Sequence, residues 1–145
     1  MSRIRLIAIC LFLHEGAILA QQGEDWVKQN RFFRPLGGRI EFGEPAHQTI
    51  VREIKEEIGA EIEDVEYLFT LENIFTYNGE TGHEIALVFD AKFTDASYYT
   101  PATIQGKEDS EIPFVAVWKK LSEFGPDGDI LYPDGLLERI KLLAP

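Results

Sequence analysis

Three glutamates, Glu53, Glu56 and Glu57, crowd into the short stretch REIKEEIGA. Residues three and four apart on a helix are neighbours, so these carboxylates share one side of it. Like charges at that spacing repel, and the repulsion grows wherever the local dielectric falls. A hard divalent cation removes it, because Mg²⁺ takes oxygen ligands and sits between a few carboxylates, waters and substrate phosphates. The ordinary alternative is a solvated acidic face, in which Arg52 pairs with Glu56 for a few tenths of a kcal/mol, on the order of a normal i,i+4 pair. Upstream, Gly37-Gly38 carries no Cβ, so the backbone there can approach a ligand or metal closely.

The element that must position the glutamates is a helix predicted over residues 45–58. Pro45 suits its first position, where a missing N–H costs nothing, and Gly59 suits its C-terminal stop. On a helical wheel Ala46, Ile50, Val51, Ile54 and Ile58 form an apolar stripe. Glu53 and Glu57 lie along one edge of the stripe and Glu56 further round, where the helix meets the rest of the fold.

The surrounding chain reads as mixed. Residues 3–13 form a strand, His14-Glu15-Gly16 a turn, and residues 17–22 a returning strand. Residues 22–31 read as loop, and 31–44 as short extended pieces around the glycine pair. Residues 65–77 and 83–95 pair as strands about the turn NGETG. In the second of these, Ile85, Leu87, Phe89, Ala91 and Phe93 alternate with polar residues, which buries one face. Residues 100–112 read as polar loop, 113–120 as a strand, 121–124 as a helical turn and 132–143 as a C-terminal helix. Such a mixture predicts an α/β or α+β layer fold.

Composition bounds the partners. The 145 residues suit one domain spanning 1–145, and a net charge of -11 disfavours nucleic acid and anionic membranes. Cys10 is the only cysteine, so no internal disulfide forms, which fits a reducing cytoplasm. The N-terminal basic and apolar run mimics a leader peptide, but the run is short and His14-Glu15-Gly16 breaks it as a strand turn would. No segment is long and apolar enough to span a membrane.

The spacing itself carries a resemblance. Gly38, five residues, Glu44, seven residues, then Arg52-Glu53-Ile54-Lys55-Glu56-Glu57-Ile58-Gly59-Ala60 resembles the signature box of the Nudix hydrolases, GX5EX7REUXEEXGU, where U is bulky and aliphatic. Every fixed position matches. Ala60 is small for the last aliphatic slot, and Pro45 stands where serine is frequent.

The resemblance implies a Nudix-type α/β/α sandwich, a mixed sheet flanked by the box helix and a C-terminal helix. It implies hydrolysis of a nucleoside diphosphate linked to another group, with Mg²⁺ or Mn²⁺ as cofactor and a small nucleotide-type molecule as partner. By position, Glu53, Glu56 and Glu57 would bind the metal, with the Gly37 carbonyl as a further ligand. Gly38, Glu44 and Arg52 would support the loop and helix. The general base would be Glu53 or Glu56 in the box, or Glu108 or Glu111 in the later loop. An aromatic near the glycines or the hairpin (Phe32, Phe33, Phe75 or Tyr77) could stack on a base, with Phe33 and Phe75 the choices, and Arg34 could contact a phosphate. The competing reading is a Nudix-like module that binds a nucleotide without cleaving it. A homodimer is also an expectation, since dimers are frequent among similar proteins.

Overall fold

The computed structural model describes residues 2–143. Its strands are β1 (Ile4–Cys10), β2 (Ala17–Asp25), β3 (Asn30–Arg39), β4 (Ile62–Tyr77), β5 (Glu80–Phe93), β6 (Thr103–Lys107) and β7 (Pro113–Lys120). Its helices are α1 (Ala46–Ile58) and α2 (Leu136–Leu143), with two short 3₁₀ turns at Ala96–Tyr99 and Leu121–Glu123. The strands hydrogen-bond in the order β4-β5-β1-β3-β2-β7-β6. β1 and β5 run parallel, and the other ladders are antiparallel.

Period-two alternation sorts the core into two layers. On β1, Ala8 and Cys10 pack with Ile50 and Ile54 of α1, in a cluster that includes Leu36 and Phe89. Ile9 and Leu11 face the other way, toward Leu136 and Ile140 of α2. Side chains of opposite parity reach opposite faces of a sheet, so one strand serves both helices. Ile50 and Ile54 are fully buried, and truncating either to alanine would cost about 2–5 kcal/mol. The fold is therefore the mixed sheet between helices that the sequence implies.

β3 gives the sheet its functional shape. Residues Asn30–Pro35 pair with β2, while Leu36–Arg39 pair with β1. The strand thus passes from one ladder to the other at the glycine pair. Gly37 has φ +154°, and a Cβ there would overlap the Ala8 carbonyl oxygen. Only glycine fits that crossing.

Several expectations need correction. Residues 22–31 are largely strand, since β2 runs to Asp25 and β3 begins at Asn30. The polar segment 100–112 contains β6, an edge strand paired with β7 alone. The turn between β4 and β5 is two residues, Asn78-Gly79, both at positive φ, so the strands run further than expected. Pro45 stands just before the helix with extended backbone, and its carbonyl accepts from Gln48 and Thr49 N–H. Val51 is exposed, and the buried face of α1 instead takes in Thr49, Glu53 and Glu57. No helix among the described residues is long and apolar enough to cross a membrane.

Candidate active site

The site is assembled where α1 meets the β3 crossing, and Arg52 fastens the two. Its guanidinium donates to both Glu44 oxygens at 2.7 and 2.9 Å, to Glu53 Oε1 at 2.9 Å and to the Arg39 carbonyl at 3.2 Å. A longer contact reaches Glu56 at 3.4 Å. The i,i+4 pair expected between Arg52 and Glu56 is therefore present but secondary to the bidentate fork on Glu44, the stronger geometry. Glu44 also accepts from Thr49 Oγ1 at 2.7 Å. The Arg52 fork, together with Thr49, pulls the Glu44 carboxyl down to a pKa of about 2. Glu44 in turn holds the Arg52 guanidinium above its ordinary value.

That depressed carboxyl carries a sign. A group whose folded pKa lies below its unfolded value of 4.5 stabilises the fold above that pH and loses the contribution as pH falls toward about 2. We expect Glu44→Gln to cost about 1–2 kcal/mol at pH 7, allowing for partial exposure. Urea melts of both proteins from pH 7 to pH 2 should show the gap closing below about 4.5. A gap that persists unchanged at pH 2 would assign the loss to packing instead.

The two inner glutamates are buried. Glu53 lies against Gly38 so closely that a Cβ on Gly38 would overlap its carboxyl group. The close approach expected of the glycine pair is thus made to a side chain of this chain. Burial raises the Glu53 pKa, opposed by Arg52. Glu57 is more extreme. Burial and then the Glu53 charge push it to about 9, opposed by Arg34. Its Oε1 is buried without a hydrogen-bond partner among the described residues. β6 closes over this part of α1, where a Cβ on Gly106 would stand 2.7 Å from the Glu57 carbonyl oxygen.

Beside α1, the β6–β7 loop brings up a further carboxylate. Oxygens of Glu53, Glu56 and Asp109 lie within 4.8 Å of one another. The donor set is all oxygen and strongly anionic, which suits a hard divalent ion. The orphaned Glu57 oxygen independently marks a group lacking its partner. On both counts the residues fit Mg²⁺ or Mn²⁺.

A cavity of about 810 Å³ opens beside Glu53. Gly37, Gly38, Arg34, Phe75, Glu108 and Asp109 line it, as do Arg5 and Arg39. Among the residues singled out from sequence, Phe33 does not. Its side chain is buried in the layer toward α2, with the Lys119 ammonium 4.3 Å from its ring centroid. Phe32, one residue earlier, lines the cavity instead. Alternation along β3 gives the reason: Phe32 and Arg34 share a face, and Phe33 cannot join them. Glu111 also stands apart, exposed and paired with Lys107 at 3.1 Å. Its φ of +66° turns the chain between Glu108 and β7. Asp109 was missed in sequence because a segment read as irregular loop assigns no direction to its side chains.

Known proteins bear on this arrangement. A NUDIX domain model matches residues 2–134. The NAD-capped RNA hydrolase NudC of Mycobacterium tuberculosis is 41% identical over 66 residues, 46% of this chain and 21% of that protein. The chain thus matches about a fifth of the length of its curated relatives. A MutT NUDIX hydrolase from Burkholderia pseudomallei shares the fold with a TM-score of 0.67 at 20% identity, covering 96% of this chain and 99% of that one. A NUDIX hydrolase from Nitrosomonas europaea aligns with a TM-score of 0.65 at 13% identity, over 96% of this chain and 87% of that one. Since the box over residues 38–60, the sheet order and the domain match all agree, the chain belongs to the NUDIX family, whose hydrolases act on phosphoanhydride bonds.

Proposed function

We propose that this chain hydrolyses the phosphoanhydride bond of a nucleoside diphosphate linked to another group, releasing a nucleoside monophosphate and the phosphorylated partner. The observation that carries this reading is the oxygen cluster of Glu53, Glu56 and Asp109, with the partnerless Glu57 beside it, at the end of a cavity large enough for a nucleotide.

Glu53, Glu56 and Asp109 would hold the divalent ion, with Glu57 and the Gly37 carbonyl as further donors. When bound, Mg²⁺ or Mn²⁺ supplies charge neutralisation at the phosphate oxygens and lowers the pKa of a bound water. The chain's own residues do the rest. Arg34 faces the cavity and meets a phosphate oxygen as a charge-assisted donor. Arg52 keeps Glu53 fixed against Gly38, so the carboxylates do not splay apart. A water oxygen bonds to phosphorus as the bridging P–O bond breaks, and its proton passes to a carboxylate. Glu108, on the cavity wall, is the acceptor we assign; Glu111, turned outward, is not. Glu108→Gln should lower kcat by about 10²-fold or more. Glu111→Gln should leave it within about twofold. Equal effects from the two would return the base to the box.

The test of the whole reading is a panel of phosphoanhydrides with Mg²⁺, products identified by mass. It should include sugar nucleotides, ADP-ribose, dinucleoside polyphosphates and modified nucleoside triphosphates. NAD and an NAD-capped RNA belong in it because of the mycobacterial relatives' name, although the net charge of -11 opposes RNA. Nucleoside monophosphate among the products supports the proposal. No cleavage across the panel sinks it.

A further inference from the structure

β1 pairs with β3 as far as Cys10–Leu36 and with β5 as far as Ile4–His83, at opposite ends of β1. Continued flat at about 3.3 Å per residue, the turns that precede β3 and β5 would lie about 50 Å apart. They touch instead. Trp26 N–H donates to Asn78 Oδ1 at 2.7 Å, and Asn78 N–H donates to Asp25 Oδ2 at 3.1 Å. The β2–β3 hairpin therefore folds back across β1, β4 and β5, and the cavity is the space it spans. Gln21, Phe32 and Arg34 line that space from the hairpin, and Ile7, Asn73 and Tyr77 from the strands it crosses. The hairpin is rooted where β3 changes ladders at the glycine pair, and it is tied down again at its tip.

The tie is more than two turns brushing together. Asp25 is buried although it stands at the very end of β2. An aspartate at a turn ordinarily spends its carboxylate on the local backbone. Oδ1 does so here, accepting from Lys28 N–H at 2.9 Å and Val27 N–H at 3.0 Å. Oδ2 is left for the other hairpin, and a carboxylate has lone pairs enough for both tasks. Asn78 has φ +50°, which asparagine tolerates better than most residues, and there its N–H and its Oδ1 both engage the facing turn. Behind the polar pair, the edge of one ring meets the face of another where Phe32 and Tyr77 stand 5.8 Å apart. Two ladders that diverge at Gly37 are thus rejoined at their far ends.

We infer that Asp25 and Asn78 are positioning residues, a latch between two hairpins that sets the spacing of the cavity walls and so the affinity for whatever the cavity holds. They act through the hairpins and not through the carboxylate cluster, so they govern binding and leave the chemical step alone. The inference rests on the functional reading above for its ligand and on the hydrogen bonds alone for its structure.

Two variants of the full chain test it. Asn78→Gly keeps the positive φ and removes the acceptor for Trp26 N–H. Asp25→Asn removes one of the two oxygens that Asp25 divides between the turns, and guards against a fault peculiar to the first variant. By NMR, the Trp26 and Asn78 amide protons should exchange about tenfold faster or more in both, with amides of β1 unchanged. Proton contacts between the Phe32 and Tyr77 rings should weaken. KM for the nucleotide cleaved fastest in the panel should rise about tenfold, with kcat within about threefold and the response of Tm to Mg²⁺ unaltered. The latch is overturned if tip exchange and ring contacts do not change, or if the tips loosen while KM stays at the wild-type value. It is overturned as well if kcat and the Mg²⁺ response fall together with binding, which marks a general loss of structure. The exchange and ring-contact measurements need no substrate. A panel without cleavage therefore sinks the catalytic reading, and the latch then stands or falls on those two measurements.

Discussion

Glu57→Gln should remove nearly all turnover, on the order of 10³-fold or more in kcat, while the protein still folds. The side chain is buried, and its Oε1 has no hydrogen-bond partner among the described residues. An amide of the same shape keeps the packing but cannot ionise when a cation arrives, and one of the two oxygens is gone. Wild-type protein should melt at a higher temperature as Mg²⁺ is added, because the ion binds the folded chain in preference to the unfolded one. In the variant that increment should shrink to a small fraction. Circular dichroism and calorimetric melts separate the two effects. A variant with wild-type rates and an undiminished metal response would take Glu57 out of the site.

The second large effect is expected at Arg52. Its guanidinium joins Glu44, Glu53 and the Arg39 carbonyl, and so joins loop, helix and β3. Arg52→Ala should destabilise the fold by about 2–4 kcal/mol, since carboxylates are left without their counter-charge. For a chain of this size that is a drop of roughly 6–12 °C in Tm. Activity should fall with it, because Glu53 is no longer held against Gly38. Arg52→Lys should recover only a minor part, as an ammonium cannot form the bidentate fork. A double-mutant cycle with Glu44→Gln checks the cause. Coupling near zero would show that the two residues act independently.

How much of this was legible in the sequence depends on the kind of signal. The glutamate helix was legible because spacing alone fixes which side chains share a face. Its depth was not. The apolar stripe was drawn through Val51, so Glu53 and Glu57 were placed at an edge, whereas the helix rolls them inward and leaves Val51 exposed. Residues 31–44 read as short extended pieces around the glycine pair, yet Asn30–Arg39 is one strand, because it changes partners at the glycines. β6 was illegible for a related reason. Thr103-Ile104-Gln105-Gly106-Lys107 has one buried apolar residue and a single neighbouring strand, so it carries no alternation to detect. Phe32 and Phe33 were both candidates, and period two from Arg34 selects Phe32 for the cavity face.

The contact at Gly106 has a bearing on how this architecture diversifies. That residue presses β6 against the last turn of α1 just before the chain swings out to Glu108 and Asp109. It works as a fulcrum: the arm beyond it could be lengthened, shortened or re-decorated between 109 and 112 while its root stays fixed to the helix. Variation in the acids that arm carries would then retune reactivity without dislodging the platform beneath.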